Sequence, residues 1–267
     1  MRYIKSFQND AAIQAAVDDK SLGKPYVALN DATGEIDWNG KNSKLAKPLT
    51  FEILTDGYIE YLINNADLDY SKNGGPWVNM SSNLQIPVVA GDEVSFRGDN
   101  NAIIQRSTQS FFSGSTCSYN LSGNIMSLLH RTGFEAYTTL PDNGNSGVFR
   151  YLFGNCSGLR DASELLLPAT SLTQRCYAGL FYFCTNNRKG PELPAATLVE
   201  SCYADMFTYN TNINYVKCLA TDISAHLATY DWFKGEEYGT GTFVKKAGVE
   251  WPRGKDGIPS KWTVVEE

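Results

Sequence analysis

The sequence predicts a multi-domain α+β chain. A small βαβ-hairpin module comes first, then a small all-β sandwich, then a short solenoid of repeated strand-plus-helix units closed by a β cap. Three observations predict this. The second half repeats itself with an offset of 26: Cys176-Tyr177-Ala178-Gly179-Leu180-Phe181 returns as Cys202-Tyr203-Ala204-Asp205-Met206-Phe207, and Leu167-Pro168-Ala169 as Leu193-Pro194-Ala195. A period of this length means stacked supersecondary units. The middle of the chain alternates short apolar runs with Gly, Asp and Asn clusters, the pattern of an all-β region. The first 45 residues place a helix-like stretch between two strand-like ones.

Residues 1–45 read as a docking-sized module. Tyr3 to Phe7 alternates like a strand, and Asn9 is placed to cap a helix from Asp10 to about Leu22. Gly23 and Pro25 stop that helix. Tyr26 to Leu29 and Glu35 to Trp38 then flank a turn-forming Asn30-Asp31-Ala32-Thr33-Gly34. So small a module has little core of its own, so it is expected to dock on a partner. Residues 46–122 read as the sandwich, with strands in Phe51–Leu54, Tyr58–Ile63, Leu84–Val89 and Glu93–Phe96.

Residues 123–235 hold the repeats. Leu198, Cys202 and Met206 fall at i, i+4 and i+8 with Tyr203 and Phe207 beside them, and Leu172, Cys176 and Leu180 copy the set. That spacing reads as one face of a short helix. Strands are expected near 163–167, 189–193 and 215–219, where Leu-Pro ends a strand well. Phe153, Phe181, Phe207 and Phe233 mark the successive copies. Strand-plus-helix units of this length match a leucine-rich-repeat solenoid. Residues 236–267 form a capping tail with strand-like 241–245 and 261–265.

The Leu-Pro-Ala…Ser-Cys-Tyr-Ala-Asp-Met-Phe block resembles the BspA-like leucine-rich repeats of Bacteroidetes surface proteins. The resemblance covers roughly residues 123–235. It departs from the pattern at Asn210-Thr211-Asn212 and at Asn186-Asn187-Arg188-Lys189, and the last copy becomes Ala228-Thr229-Tyr230-Asp231-Trp232-Phe233. The family implies adhesion or recognition, not catalysis. The module, β region and tail together resemble, more loosely, phage and prophage structural proteins.

Composition narrows the function classes. Charged residues make up 19% of the 267 and aromatic ones 12%. Net charge is −6 and the longest basic run is Lys245-Lys246, which makes nucleic acid a poor partner. No stretch approaches the ~20 apolar residues of a membrane span. The first ten residues lack the apolar core and small-residue cleavage site of a secretory signal. The six cysteines, four of them on repeat positions, read as buried reduced thiols, and no Cys-x-x-Cys spacing suggests zinc.

No catalytic, metal or cofactor constellation is expected. His130 and His226 stand far apart without partner motifs and read as structural. Asp67 and Asp69, near Asn64 and Asn65, lack the glycine and terminal Glu of a calcium loop and read as a solvated turn. Glu236-Glu237 reads as a solvated linker. A binding surface, in contrast, is expected where the copies differ: Arg188, Lys189, Glu192, Tyr215 and Lys217 around the strands, with Tyr182 and Tyr209 beside the helix stripe. Each of these seven also reads as an ordinary surface residue or core-edge aromatic. The expected function is a non-enzymatic recognition or structural protein, a phage or prophage virion appendage or decoration protein. A bacterial cell-surface adhesin for host protein or glycan is the alternative. The virion reading expects oligomeric assembly through residues 1–45.

Overall fold

The computed structural model describes residues 3–7, 26–30, 35–38, 43–62, 66–80, 83–103, 110–142, 147–235 and 239–267. They fall into two compact units, Met1–Lys47 and Pro48–Glu267. In the first unit, β1 (Tyr3–Phe7) runs parallel to β2 (Tyr26–Asn30), and β2 pairs antiparallel with β3 (Glu35–Trp38). A one-turn helix, α1 (Ser43–Ala46), follows. The expected βαβ-hairpin is not shown: its helix over 10–22 and its turn at 31–34 lie outside the described residues.

The second unit corrects the sequence reading in two places. Its first strands are β4 (Leu49–Ile53), β5 (Gly57–Tyr61), β6 (Leu68–Lys72), β7 (Val78–Asn79), β8 (Leu84–Val88) and β9 (Glu93–Gly98). β10 (Tyr119–Asn124) and β11 (Leu159–Leu166) join them in one six-stranded mixed sheet, ordered β11-β10-β4-β9-β6-β7, while β5 pairs with β8. β10 is antiparallel to β4 and parallel to β11. A self-contained sandwich is therefore replaced by a sheet that runs on into the repeats.

The second correction concerns the repeats. The expected leucine-rich-repeat solenoid of strand-plus-helix units is overturned: the chain is mostly β, 32% strand against 5% helix, with mixed and parallel sheets. Strands do form at β12 (Lys189–Leu193), β13 (Tyr215–Cys218), β14 (Thr242–Lys245) and β15 (Thr263–Glu266), a parallel sheet in chain order. The Arg188 N–H reaches the Arg160 carbonyl at 2.9 Å, tying β12 to β11. The segments read as helical faces, 172–184 and 198–210, contain no helix.

What replaces the helix is a ladder of turns. Every fourth residue is left-handed: Gly147, Tyr151 and Asn155, then Arg175, Gly179 and Phe183, then Ser201, Asp205 and Tyr209, then Leu227 and Asp231. Backbone N–H groups alternate in use. Those of Cys176, Ala178, Leu180, Tyr182 and Cys184 close local turns onto the carbonyl three residues back, at 2.9–3.2 Å. Those of Arg175, Tyr177, Gly179, Phe181 and Phe183 reach the carbonyls of Glu200, Cys202, Ala204, Met206 and Thr208 on the next rung, at 2.7–3.2 Å. The same alternation links the rungs on either side. Buried backbone donors are thus satisfied without helix, which removes the penalty of leaving them unpaired.

Side chains follow the turns, with a buried apolar pair in every four residues. Cys176-Tyr177, Leu180-Phe181 and Cys184 are buried, while Tyr182 and Phe183 reach the surface. The inward rings form two columns. Phe149, Tyr177, Tyr203 and Trp232 stack at 5.8, 6.1 and 6.5 Å. Phe153, Phe181, Phe207 and Phe233 stack at 5.7, 5.8 and 5.4 Å, with interplanar angles of 12°, 7° and 21°. Phe51 and Phe112 abut Phe153 at one end. At the other, Trp251 stacks on Trp232 at 5.4 Å, Trp262 meets Phe233 at 5.2 Å, and Trp232 Nε1 donates to the Gly257 carbonyl at 2.7 Å. The tail thereby keeps water off the last aromatic layer.

All six cysteines are buried with free thiols, and burial pushes those of Cys156 and Cys202 up to about 11 and about 12. Such thiols pack as small hydrophobes. Among the described residues no helix is long and apolar enough to cross a membrane.

Candidate functional site

The seven candidate residues separate into two groups. Arg188, Lys189, Glu192, Tyr215 and Lys217 lie on β12, β13 and the residue preceding them. Lys189 stands in register with Tyr215, and Glu192 with Lys217. The charges here satisfy one another. Lys217 Nζ lies 2.9 Å from Glu192 and 3.0 Å from Glu267, and Lys189 Nζ lies 3.5 Å from Asp161. The hydrogen bond to Glu192 is the main cause that raises the Lys217 ammonium pKa. Arg188 is exposed and Tyr215 half-buried. This face is a row of cross-strand ion pairs, each of small energetic weight at a surface.

Tyr182 and Tyr209 belong to the turn ladder, where they meet two rings that sequence reasoning missed. Tyr182 packs edge-on against Tyr151 (5.5 Å, 89°) and against Tyr209 (6.0 Å, 87°). Phe183 lies 5.7 Å from Tyr209 and is 44% exposed. The ring of Tyr151 covers the bare Cα of Gly179, where a Cβ would collide with it. The Arg150 guanidinium lies over the same Tyr151 ring, 5.1 Å from its centroid. Four aromatic side chains from three consecutive rungs therefore form one half-exposed ledge. The sequence signal was present in the spacing: Phe183 falls in the outward half of the four-residue alternation, next to Tyr182.

The ledge has a charged border. Asp205 and Asp231 take equivalent places on successive rungs. Asp231 is buried and bonded to both Lys234 (2.7 Å) and Lys255. Asp205 has a weaker partner, Thr208 Oγ1 at 3.5 Å. Burial, followed by the Asp231 charge, raises the Asp205 carboxyl above the usual carboxylate range, with Lys234 and Arg150 opposing. A carboxyl raised on folding contributes stability that is full below its unfolded pKa and is lost as pH rises through the folded one. Asp205→Asn is therefore expected to raise the thermal midpoint at pH 7 and to leave it unchanged near pH 3. Melting curves at the two pH values check this, and an equal shift at both would contradict it.

Elsewhere, Asp67 and Asp69 do not form the solvated turn expected from sequence. Asp69 is buried in β6, and Arg131 gathers both with Asp99: Nη2 to Asp67 at 2.7 Å, Nε to Asp99 at 3.0 Å, and Nη1 to Asp69. Arg97 adds a contact to Asp69 at 3.4 Å and lies over the Trp77 ring. The carboxylates are thus consumed by a structural guanidinium knot. His130 stacks on Tyr137 at 3.6 Å, and burial lowers its pKa. His226 is exposed, 4.0 Å from Glu200. Among the described residues no group of three or more His, Cys, Asp or Glu side chains is arranged to hold a metal ion. Glu236-Glu237 lies outside the described residues.

Set beside known proteins, the chain matches no family model, no curated protein and no solved structure, so the aromatic ledge is read from its own geometry alone.

Proposed function

We propose that this chain is a non-enzymatic recognition protein, carried on a virion or a cell surface, that uses its stacked rungs as a rigid display. The observation that carries the reading is the aromatic ledge of Tyr151, Tyr182, Phe183 and Tyr209, half-exposed on a backbone locked by rung-to-rung hydrogen bonds. Rings fixed before binding lose little rotamer freedom when a ligand lands on them, which is what preorganised recognition requires. The compact unit Met1–Lys47 supports the display reading, because a separate unit provides a place of attachment.

The test is an array carrying glycans and surface proteins, probed with the labelled full chain. Saturable, reversible binding to a subset of spots with unchanged ligand mass is expected. Chemical turnover of a bound ligand, or no saturable binding to either class, contradicts the reading.

A further inference from the structure

We propose that the ligand of the aromatic ledge is a glycan, with Tyr182, Phe183 and Tyr209 as the stacking platform and Arg150 and Asp205 as the hydrogen-bonding rim. The inference rests on the recognition reading above and names its ligand class.

Tyr151, Phe183 and Tyr209 hold φ of 54°, 56° and 57°. A bulky side chain in this region is a genuine outlier, since its Cβ crowds the backbone. The equivalent places on other rungs are filled by Gly179, Asn155 and Asp205, residues that accept the conformation readily. At three neighbouring places the chain instead keeps a ring. Arg175 and Leu227 hold the same conformation elsewhere in the ladder, so what distinguishes these places is that their rings cluster with Tyr182.

A sugar presents apolar C–H faces and a polar hydroxyl edge, so its binding site needs flat apolar surface beside donors and acceptors. The ledge has both. Arg150 lies over the Tyr151 ring, 5.1 Å from its centroid, and Asp205 takes on the next rung the place of Gly179, whose Cα that ring covers. These groups supply one carboxylate acceptor and one cationic donor beside the rings. Unlike the strand face, where Lys217 is held between two carboxylates, Asp205 has among the described residues a single long side-chain contact, with the Thr208 hydroxyl.

A fully exposed aromatic side chain offers 150–250 Å², so four rings exposed by less than half offer roughly 250 Å². A stable protein contact buries about 800 Å² on each partner. The platform suits a few sugar rings and is too small to anchor a protein by itself.

The experiment is calorimetric titration of the full chain with hexasaccharides of β-linked glucose, N-acetylglucosamine, xylose and mannose and of α-linked glucose and galacturonate. At least one is expected to bind saturably. Tyr182→Ala is expected to weaken that binding about tenfold, equivalent to ~1.4 kcal/mol. Phe183→Gly is the second variant: glycine suits the left-handed backbone, so folding is preserved while the platform ring is removed. Tyr215→Ala, on the strand face, is expected to leave binding unchanged. No hexasaccharide binding, or binding unaltered by both Tyr182→Ala and Phe183→Gly, overturns the proposal. Binding only to proteins on the array overturns the glycan but leaves the recognition reading standing; binding to neither class removes both.

Discussion

Phe207→Ala is expected to lower the unfolding free energy of the full chain by about 3–5 kcal/mol, the range for losing a buried aromatic ring. Phe207 sits mid-column, 5.8 Å from Phe181 and 5.4 Å from Phe233, with Trp232 at 6.3 Å. Its ring also fills the space over Gly190, where a Cβ would approach to 2.9 Å. The flanking rungs cannot collapse into the void, because the N–H groups of Phe181 and Phe207 fix their spacing through the Met206 and Trp232 carbonyls. The cavity therefore stays open and its full penalty remains. Urea unfolding monitored by tryptophan fluorescence measures the loss. A change below about 1 kcal/mol, the size of a typical surface substitution or less, would show that the column does not hold the rungs together.

Asn210→Ala is expected to be the second most damaging change. Asn210 is fully buried and occupies the place held by Cys184 one rung earlier. With its amide oriented by its neighbours, Nδ2 donates to the Cys184 carbonyl at 2.7 Å and to the Asn187 carbonyl at 3.0 Å. Removing the amide strips both acceptors of this donor, at about 1–3 kcal/mol for each group left unsatisfied. Asn210→Asp separates hydrogen bonding from packing. It keeps the shape but puts carboxylate oxygens against carbonyl oxygens, so it is expected to destabilise at pH 7 at least as much as alanine. If the aspartate variant is as stable as the parent, the amide is not donating.

Asn210 also shows how the sequence misleads. It breaks the Cys repeat and so looks like a place where specificity varies, yet it is a buried brace. Asn186 and Asn212 behave alike: each donates from Nδ2 to a carbonyl of the preceding rung, Ser157 at 2.9 Å and Thr185 at 2.6 Å. Copies that disagree in letters can agree in structural work.

The strands of the repeats were legible from their Leu-Pro endings and residue types, and the 26-residue period did mark stacked units. The turn ladder was not, because apolar residues at i, i+4 and i+8 fit both a helix stripe and a strict four-residue alternation. A helix advances 3.6 residues per turn, so an exact spacing of four drifts around its surface. The buried pairs Val148-Phe149, Leu152-Phe153, Cys176-Tyr177, Leu180-Phe181, Cys202-Tyr203 and Met206-Phe207 show no drift. Gly147, Asn155, Gly179 and Asp205 signal the left-handed places, but Arg175, Phe183, Tyr209 and Leu227 hide the pattern. The Arg131 knot joins residues 62 and 64 positions apart, and no local pattern announces such a pairing. The Tyr182–Tyr209 half of the ledge was visible in sequence; Tyr151 and Phe183 join it only once the rungs are stacked.

The most direct test is nuclear magnetic resonance measurement of backbone φ across 173–184 and 199–210, through HN–Hα couplings and chemical shifts in the full chain. The turn ladder predicts left-handed values at Arg175, Gly179, Phe183, Ser201, Asp205 and Tyr209, with the residues between them right-handed or extended. Unbroken right-handed helical values through either segment would contradict it, and would turn the ledge rings away from the positions that bring them together.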